Sequence, residues 1–345
     1  MKNTIRLIDI ANELGLSRNT VANVLNGHPM PEKTRKLVLE KAIQMGYKSM
    51  GVVSQDSGLL RNQRILLITS HPLTHLNYFM SIITGIEDTV RNYNFELMQY
   101  TFNENTTYRE LSNYIKQLKL DGIICIESFE EQFIRQLLAL KIPTVFIDFL
   151  YSNQNLPGTY DIVMMENMKS VGTLCHQLIK DQFLTKFGFV GDYHHCQGFY
   201  ERYLGMLEAL READIPYNKD YSIIKPDNFP YGNVEEMKKI ILAMKEVPQV
   251  FVCANDSIAI NLIKTLQKLN YRVPQEIAVI GFDDTIESQI SLPTLTTINV
   301  DKEFLGRQAI KTLINRIKHK KEMNKILYIQ TKIVLRNSTP RITLN

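Results

Sequence analysis

Ile8-Asp9-Ile10-Ala11-Asn12-Glu13-Leu14-Gly15-Leu16-Ser17-Arg18-Asn19-Thr20-Val21-Ala22-Asn23-Val24-Leu25-Asn26-Gly27 reads as two short helices joined by a tight turn. Ile8, Ala11 and Leu14 recur on one helical face, and Gly15 supplies a left-handed conformation that a side chain would resist. Ser17 is placed to cap a second helix whose inward positions are Val21, Val24 and Leu25. The spacing predicts a helix-turn-helix. Its outward positions, Arg18, Asn19 and Asn23, donate to and accept from base edges when such a helix start enters the major groove of duplex DNA.

A third helix is expected from Pro31 to Met45, with Leu37, Val38 and Ala42 facing inward and Gly46-Tyr47 closing it. Three short helices make one small module over residues 1–48. Charge is concentrated there: Met1 to Arg64 holds ten Lys/Arg against five Asp/Glu, whereas the remainder is close to neutral. A cationic face attracts the phosphate backbone and releases its counterions. The stretch after it, Ser49 to Gly58, carries two glycines and three serines without a sustained period, so residues 49–64 are expected to be a linker.

From residue 65 onward the chain changes character. Short apolar runs alternate with amphipathic helices: Ile65-Leu66-Leu67-Ile68, Glu96-Leu97-Met98, Gly122-Ile123-Ile124-Cys125-Ile126 and Thr144-Val145-Phe146-Ile147 come first. The alternation restarts after the Asn153 to Gly158 loop with Phe187-Gly188-Phe189-Val190, Tyr221-Ser222-Ile223-Ile224, Val250-Phe251-Val252-Cys253 and Ile277-Ala278-Val279-Ile280. Apolar runs separated by helices indicate parallel strands covered on both faces. The expected fold class is α/β: a three-helix headpiece followed by two doubly wound parallel sheets facing a cleft at their carboxyl ends. One lobe is expected over residues 65–162 plus 292–325 and the other over 163–291 plus 326–345. The last strand, near Leu327 to Leu335, is expected to return to the second lobe.

Composition excludes several classes. At 345 residues and 44% hydrophobic content the chain fills more than one core. Cys125, Cys175, Cys196 and Cys253 show no CxxC spacing, which suits reduced thiols in a cytoplasm. No charged-then-apolar leader and no run of eighteen apolar residues occur, so a cytoplasmic chain without membrane association is expected. Phosphate-cradling and nucleophile-elbow motifs are absent, no cofactor is implied, and catalysis has no obvious seat. His194-His195-Cys196 is the only metal-like cluster, but its adjacent side chains would need a further ligand from elsewhere, and it reads as loop residues rather than zinc ligands. Asp283-Asp284 lies on an extended segment, where neighbouring side chains point opposite ways and cannot share a proton.

The strand ends read better as ligand capture. Asp148, Asn255 and Asp283 each end an apolar run, where they can bind a small polyhydroxylated molecule, and Arg202 can add a forked donor. His71, Thr74, Tyr78 and Phe79 would form an aromatic and polar wall, and Phe229 is a further ligand-binding candidate.

These residues together carry a resemblance. Ile10-Ala11, Leu16-Ser17, Thr20-Val21, Val24-Leu25-Asn26-Gly27, Thr34-Arg35 and Gly46-Tyr47 resemble the headpiece of the LacI/GalR family of bacterial transcription regulators. Phe251 to Asp256, Val273 to Asp284 and Pro293 to Thr297 resemble its effector domain, so the likeness spans nearly the whole chain. It implies a periplasmic-binding-protein-like core. It also implies a homodimeric regulator, no enzyme, on a near-palindromic double-stranded operator, with an effector in the cleft. Implied DNA contacts are Ser17, Arg18, Asn19, Thr20, Asn23, Asn26, Thr34, Arg35 and Lys36. The implied pocket holds Asp148, Arg202 (in Phe199-Tyr200-Glu201-Arg202-Tyr203-Leu204-Gly205), Asn255 and Asp283, often around a sugar or sugar phosphate. A phosphocarrier protein is a co-regulator of some relatives.

Two departures matter. Ala22-Asn23 replaces the Ser-Arg that family members commonly carry, exchanging a guanine reader for an amide matched to adenine. The family's hinge helix is approached only by Ser57-Gly58-Leu59-Leu60-Arg61. Either Leu59 or Leu60 serves as a minor-groove wedge on a displaced hinge, or the site is bound without kinking. Asp148 is also followed by Phe149, where many relatives have Arg. Two other classes share parts of this pattern: a sugar-binding transport receptor, which would need a secretion leader and no basic headpiece, and a sugar-acting enzyme, which would need a positioned base or nucleophile.

Overall fold

The computed structural model describes residues 5–25, 30–45, 63–69, 76–93, 95–101, 108–127, 129–151 and 156–343. The expected positions Asn26, Leu59, Leu60, His71 and Thr74, and the linker up to residue 62, lie outside them.

The amino-terminal module consists of α1 (Leu7–Leu14), α2 (Arg18–Leu25) and α3 (Glu32–Gln44). Asp9 accepts from the Arg6 amide at 2.7 Å and so closes the start of α1. Gly15 ends it at φ 64°, and the Leu16 amide returns to the Ala11 carbonyl at 3.0 Å. The Thr20 amide donates to Ser17 Oγ at 3.0 Å, which caps α2 as the sequence predicted. Ile10, Ala11, Val21, Val24, Leu25, Val38, Leu39 and Ala42 form the core. Two expectations are corrected here. Ile8 is 40% exposed and Leu37 47% exposed, because their neighbours Ile10 and Leu39 take the inward positions instead.

The first lobe is built on six parallel strands in the order β10-β5-β4-β3-β1-β2. In chain order these are β1 (Gln63–Thr69), β2 (Phe95–Thr101), β3 (Gly122–Ile126), β4 (Thr144–Ile147), β5 (Tyr160–Met165) and β10 (Ile326–Ile329). Helices α4 (Leu76–Asn92), α5 (Tyr108–Leu118) and α6 (Glu131–Leu138) link the first four strands. Alternation along each strand feeds two cores. Leu66, Ile68, Ile123, Cys125 and Phe146 pack on one face, and Ile65, Leu67, Ile124, Ile126, Val145 and Ile147 on the other.

The second lobe carries β6 (Phe187–Val190), β7 (Val250–Cys253) and β8 (Ala278–Ile280), all parallel. Its helices are α7 (Met168–Gln182), α8 (Gln197–Glu212), α9 (Val234–Ala243), α10 (Asp256–Lys268) and the short α11 (Ile286–Ile290). β9 (Thr297–Asn299) and β11 (Lys332–Val334) form an antiparallel pair beside β8, joined to it through the Ile280–Thr296 and Asp283–Asn299 bridges. Val190 and Ile223 make a single bridge where a Tyr221 to Ile224 strand was expected.

The chain crosses between lobes after β5, before α12 (Lys302–Lys318) and between β10 and β11. α12 packs on the first lobe against α4, where a Cβ on Gly306 would stand 2.2 Å from the Ile82 carbonyl oxygen, so only glycine permits that approach. The expected last strand near Leu327 to Leu335 is therefore two strands in different sheets. Residues 326–329 join the first sheet, and residues 332–334 pair with residues 297–299 in the second lobe.

Candidate functional site

On the headpiece, burying Val21, Val24 and Leu25 turns Arg18, Asn19 and Asn23 outward, and all three are exposed. Thr20 is half-buried, its hydroxyl 2.8 Å from Ser17 Oγ, so both hydroxyls serve the helix start. On α3, Thr34 and Arg35 are half-buried and Lys36 is exposed. α2 contains no carboxylate, and its start presents backbone N–H groups, an arrangement that favours an anion.

A second cluster lies where the carboxyl ends of the two sheets meet. Tyr78 on α4, Glu127 after β3 and Asp148 after β4 come from the first lobe, and His195, Arg202 on α8 and Asp283 after β8 from the second. Asp148 is buried at φ 59°, with its carboxylate accepting from the Phe149 amide at 2.7 Å. The next carbonyl, Phe149, accepts the Gln197 amide of the other lobe at 2.9 Å.

Arg202 is 3% exposed and fixed on every side. Its Nε donates to Asn167 Oδ1 at 3.0 Å, Nη1 donates to the Ala254 carbonyl at 2.6 Å, and Nη2 lies 4.0 Å from Asp283 Oδ1. The guanidinium also sits 3.6 Å from the Phe282 ring centroid and 5.2 Å from that of Phe199. A guanidinium so held is preorganised, because little rotamer entropy is left to lose.

Burial pushes the Glu127 carboxyl up to about 7, with His195 opposing and Asp148 and Asp283 adding to the rise. Burial raises Asp148 too, against the Phe149 amide and Arg202. Burial, then Asp283 and Glu127, lifts the Tyr78 phenol well above its ordinary value. Burial opposes protonation of His195, but a 2.6 Å hydrogen bond to Asp227 raises it overall. Three carboxyl groups, the Arg202 guanidinium and the His195 ring thus share the cleft, which offers hydrogen-bond acceptors and donors together.

The other expected positions have different surroundings. Asn255 caps α10, its Oδ1 accepting from the Ile258 amide at 2.9 Å, while its neighbour Asp256 is fully buried on the Thr297 hydroxyl and the Thr285 amide. Phe79 turns into the first lobe's core, leaving Tyr78 as the described aromatic of that wall that joins the cluster. Phe229 packs edge-on to Tyr231 at 5.0 Å, and its loop reaches the cluster through Asp227 instead. Asp283 and Asp284 do diverge, but not on the extended segment that was expected: both take positive φ, 112° and 50°, and Asp284 turns away to Arg336 at 2.5 Å and Asn299 at 2.8 Å. His195 lies 4.9 Å from the Phe129 ring, across the lobes, and Cys196 caps α8. Phe149, at the family's Arg position, is buried against Phe146 and Tyr160.

Sequence reasoning missed Glu127 and the His195–Asp227 pair. Glu127 ends the apolar run Gly122–Ile126 as Asp148 ends Thr144–Ile147, so the strand-end rule applied there would have found it. No local signal joins His195 to Asp227, 32 residues away.

Residues 177–339 match the periplasmic-binding-protein-like domain. The chain is 26% identical over 341 residues to the HTH-type transcriptional repressor PurR of Vibrio parahaemolyticus serotype O3:K6, covering 97% of this chain and 98% of that protein. Among solved structures it resembles the transcriptional regulator CelR–cellobiose complex (TM-score 0.70, 21% identity, 97% of this chain and 99% of that one). It also resembles the lac repressor dimer bound to operator and the anti-inducer ONPF (TM-score 0.66, 20% identity, 98% and 99%). No helix among the described residues is long and apolar enough to cross a membrane.

Proposed function

Because this chain belongs to the LacI/GalR family of bacterial transcription regulators, and is a DNA-binding regulator rather than an enzyme, we propose that it represses carbohydrate-utilisation genes in response to a sugar. Two copies bind a near-palindromic operator in the cytoplasm, with residues 1–48 as the reading module and the remainder as effector and dimerisation core. Arg18, Asn19 and Asn23 face base edges, and Lys36 faces phosphate. Ser17, Thr20, Thr34 and Arg35 place the module on the backbone.

The observation that carries this reading is the outward row Arg18, Asn19 and Asn23 on a helix whose opposite face is fully buried. In the cleft, the carboxyl groups of Glu127, Asp148 and Asp283 and the forked donor of Arg202 suit a ligand rich in hydroxyl groups. The solved CelR neighbour is described with cellobiose, which agrees with this ligand class. A ligand touching Tyr78, Glu127 and Asp148 on one side and Arg202 and Asp283 on the other favours one arrangement of the lobes. A coupling of about 1 to 3 kcal/mol gives roughly 5- to 150-fold regulation.

Selection of bound duplexes from a random pool, with and without a panel of neutral and phosphorylated sugars, tests the proposal. A twofold-symmetric motif whose enrichment changes with a sugar of the panel is expected, and the direction of change separates inducer from corepressor. Absence of any enriched motif overturns it.

A further inference from the structure

Because every strand of the first lobe's sheet runs parallel, all of them begin on one edge, at Gln63, Phe95, Gly122, Thr144, Tyr160 and Ile326, opposite the cleft. The chain enters the core at that edge, coming from the headpiece. The turns along it, residues 119–121, 139–143, 156–159 and 318–325, hold six lysines against only Asp121 and Glu322. Both acids are engaged: Asp121 accepts the Arg64 amide at 2.9 Å, and Glu322 holds Lys325. Lys141, Lys320 and Lys321 are exposed and make no ion pair among the described residues. Lys141 and Lys320 flank a 440 Å³ hollow, with Arg135 beside them.

The turn that bears Lys320 and Lys321 is held firmly. Arg316, 1% exposed, is paired with the equally buried Asp161 and donates to the carbonyls of Glu322 at 2.7 Å and Met323 at 2.8 Å. Asn324 accepts the Tyr160 amide at 3.1 Å and donates to the Gly158 carbonyl at 3.1 Å. The first lobe thus carries its buried carboxyl groups, Glu127 and Asp148, towards the cleft and its exposed lysines towards the opposite edge, where β1 begins. Positive charge kept unpaired on a rigid turn is poised for a polyanion.

We propose that this edge contacts the phosphate backbone of duplex DNA flanking each half-site, a sequence-independent contact made by the core in addition to the headpiece. The inference rests on the DNA-binding reading above. Such contacts raise affinity and its salt sensitivity without changing base preference.

The test measures operator affinity of the full-length protein across a salt series, for the wild type and for a variant combining Lys141→Ala, Lys320→Ala and Lys321→Ala. The log–log salt slope is expected to flatten by about 0.9 for each phosphate that the variant no longer neutralises, summed over both protomers. The ratio of affinities for matched and mismatched operators should stay unchanged, and the corresponding Lys→Arg variant should keep the slope. Trimming the duplex to the two half-sites should weaken the wild type and leave the alanine variant unaffected. An unchanged slope in the alanine variant overturns the proposal and leaves the DNA-binding reading standing. An unchanged slope together with a wild-type-only melting shift in inorganic phosphate assigns the hollow to a small anion and overturns it as well. A wild type that binds no duplex overturns both.

Discussion

The phenol of Tyr328, on the strand that edges the first lobe's sheet, donates a 2.7 Å hydrogen bond to Glu201 on α8 of the second lobe. Glu201 is buried and also accepts from Asn167 at 3.0 Å and Gln197 at 3.1 Å, so the two lobes meet through a saturated carboxylate. Tyr328→Phe removes one bond across the lobes while Glu201 keeps two others. The variant should stay folded and lose about 1 kcal/mol of preference for this lobe arrangement, roughly a fivefold change in the ratio of operator affinities with and without effector. Operator binding with and without the effector checks it, and an unchanged ratio would remove the latch from the mechanism.

Arg202 serves the cleft and the fold together. Arg202→Met takes the buried donor from the Ala254 carbonyl and Asn167 and the cation from beside Asp283, and a loss of about 3 kcal/mol in stability is expected from stranding the two buried acceptors. Effector binding should vanish in the folded fraction while the headpiece keeps its operator preference. Chemical denaturation with calorimetric titration of the effector identified by the selection separates the two effects.

Glu127 gives the protein a pH signature. Its carboxyl is raised from 4.5 to about 7, so between those values the folded chain holds a proton that the unfolded chain has released. Stability therefore falls as pH rises through this window. Asp256, raised from 3.8 to about 7 by burial and then by Asp283, acts in the same direction. Glu127→Gln should lessen the decline in Tm between pH 5 and 7.5 without abolishing it, and a decline as steep as the wild type's would contradict the assignment.

At the reading helix, Asn23→Ala should cost about 1 to 3 kcal/mol on the preferred operator and equalise binding at one base position. Lys36→Ala should lower affinity evenly across sequences and reduce the salt slope. Competition binding on a set of single-base operator variants distinguishes them. Equal effects of both substitutions on matched and mismatched sites would refute the division of roles.

The headpiece was legible because its determinants are local. Ser17 caps the residue three along, Gly15 takes the conformation that a side chain resists, and the apolar period selects Val21, Val24 and Leu25 without reference to anything distant. Period alone did not separate Ile8 from Ile10 or Leu37 from Leu39. Which of two near neighbours is buried depends on the angle at which the helices cross, and that angle is a tertiary quantity.

The alternation of apolar runs and helices likewise announced two parallel sheets and put Asp148 and Asp283 at strand ends. The Tyr160–Met165 strand escaped notice, and Leu327 to Leu335 read as one strand although Gln330 and Thr331 carry the chain between sheets. Nothing local marks that division, because a strand's partner is chosen by the sheet edge left open once the rest has folded. By itself, then, the sequence determined the reading helix, the α/β class and the types of side chain at the strand ends, all set within a few residues. Only the tertiary structure decided that Glu127, His195 and Asp227 share the cleft with Arg202, and that the lysines of distant turns gather on one edge. Groups far apart in the chain become neighbours through packing and strand order, and no short-range pattern encodes those.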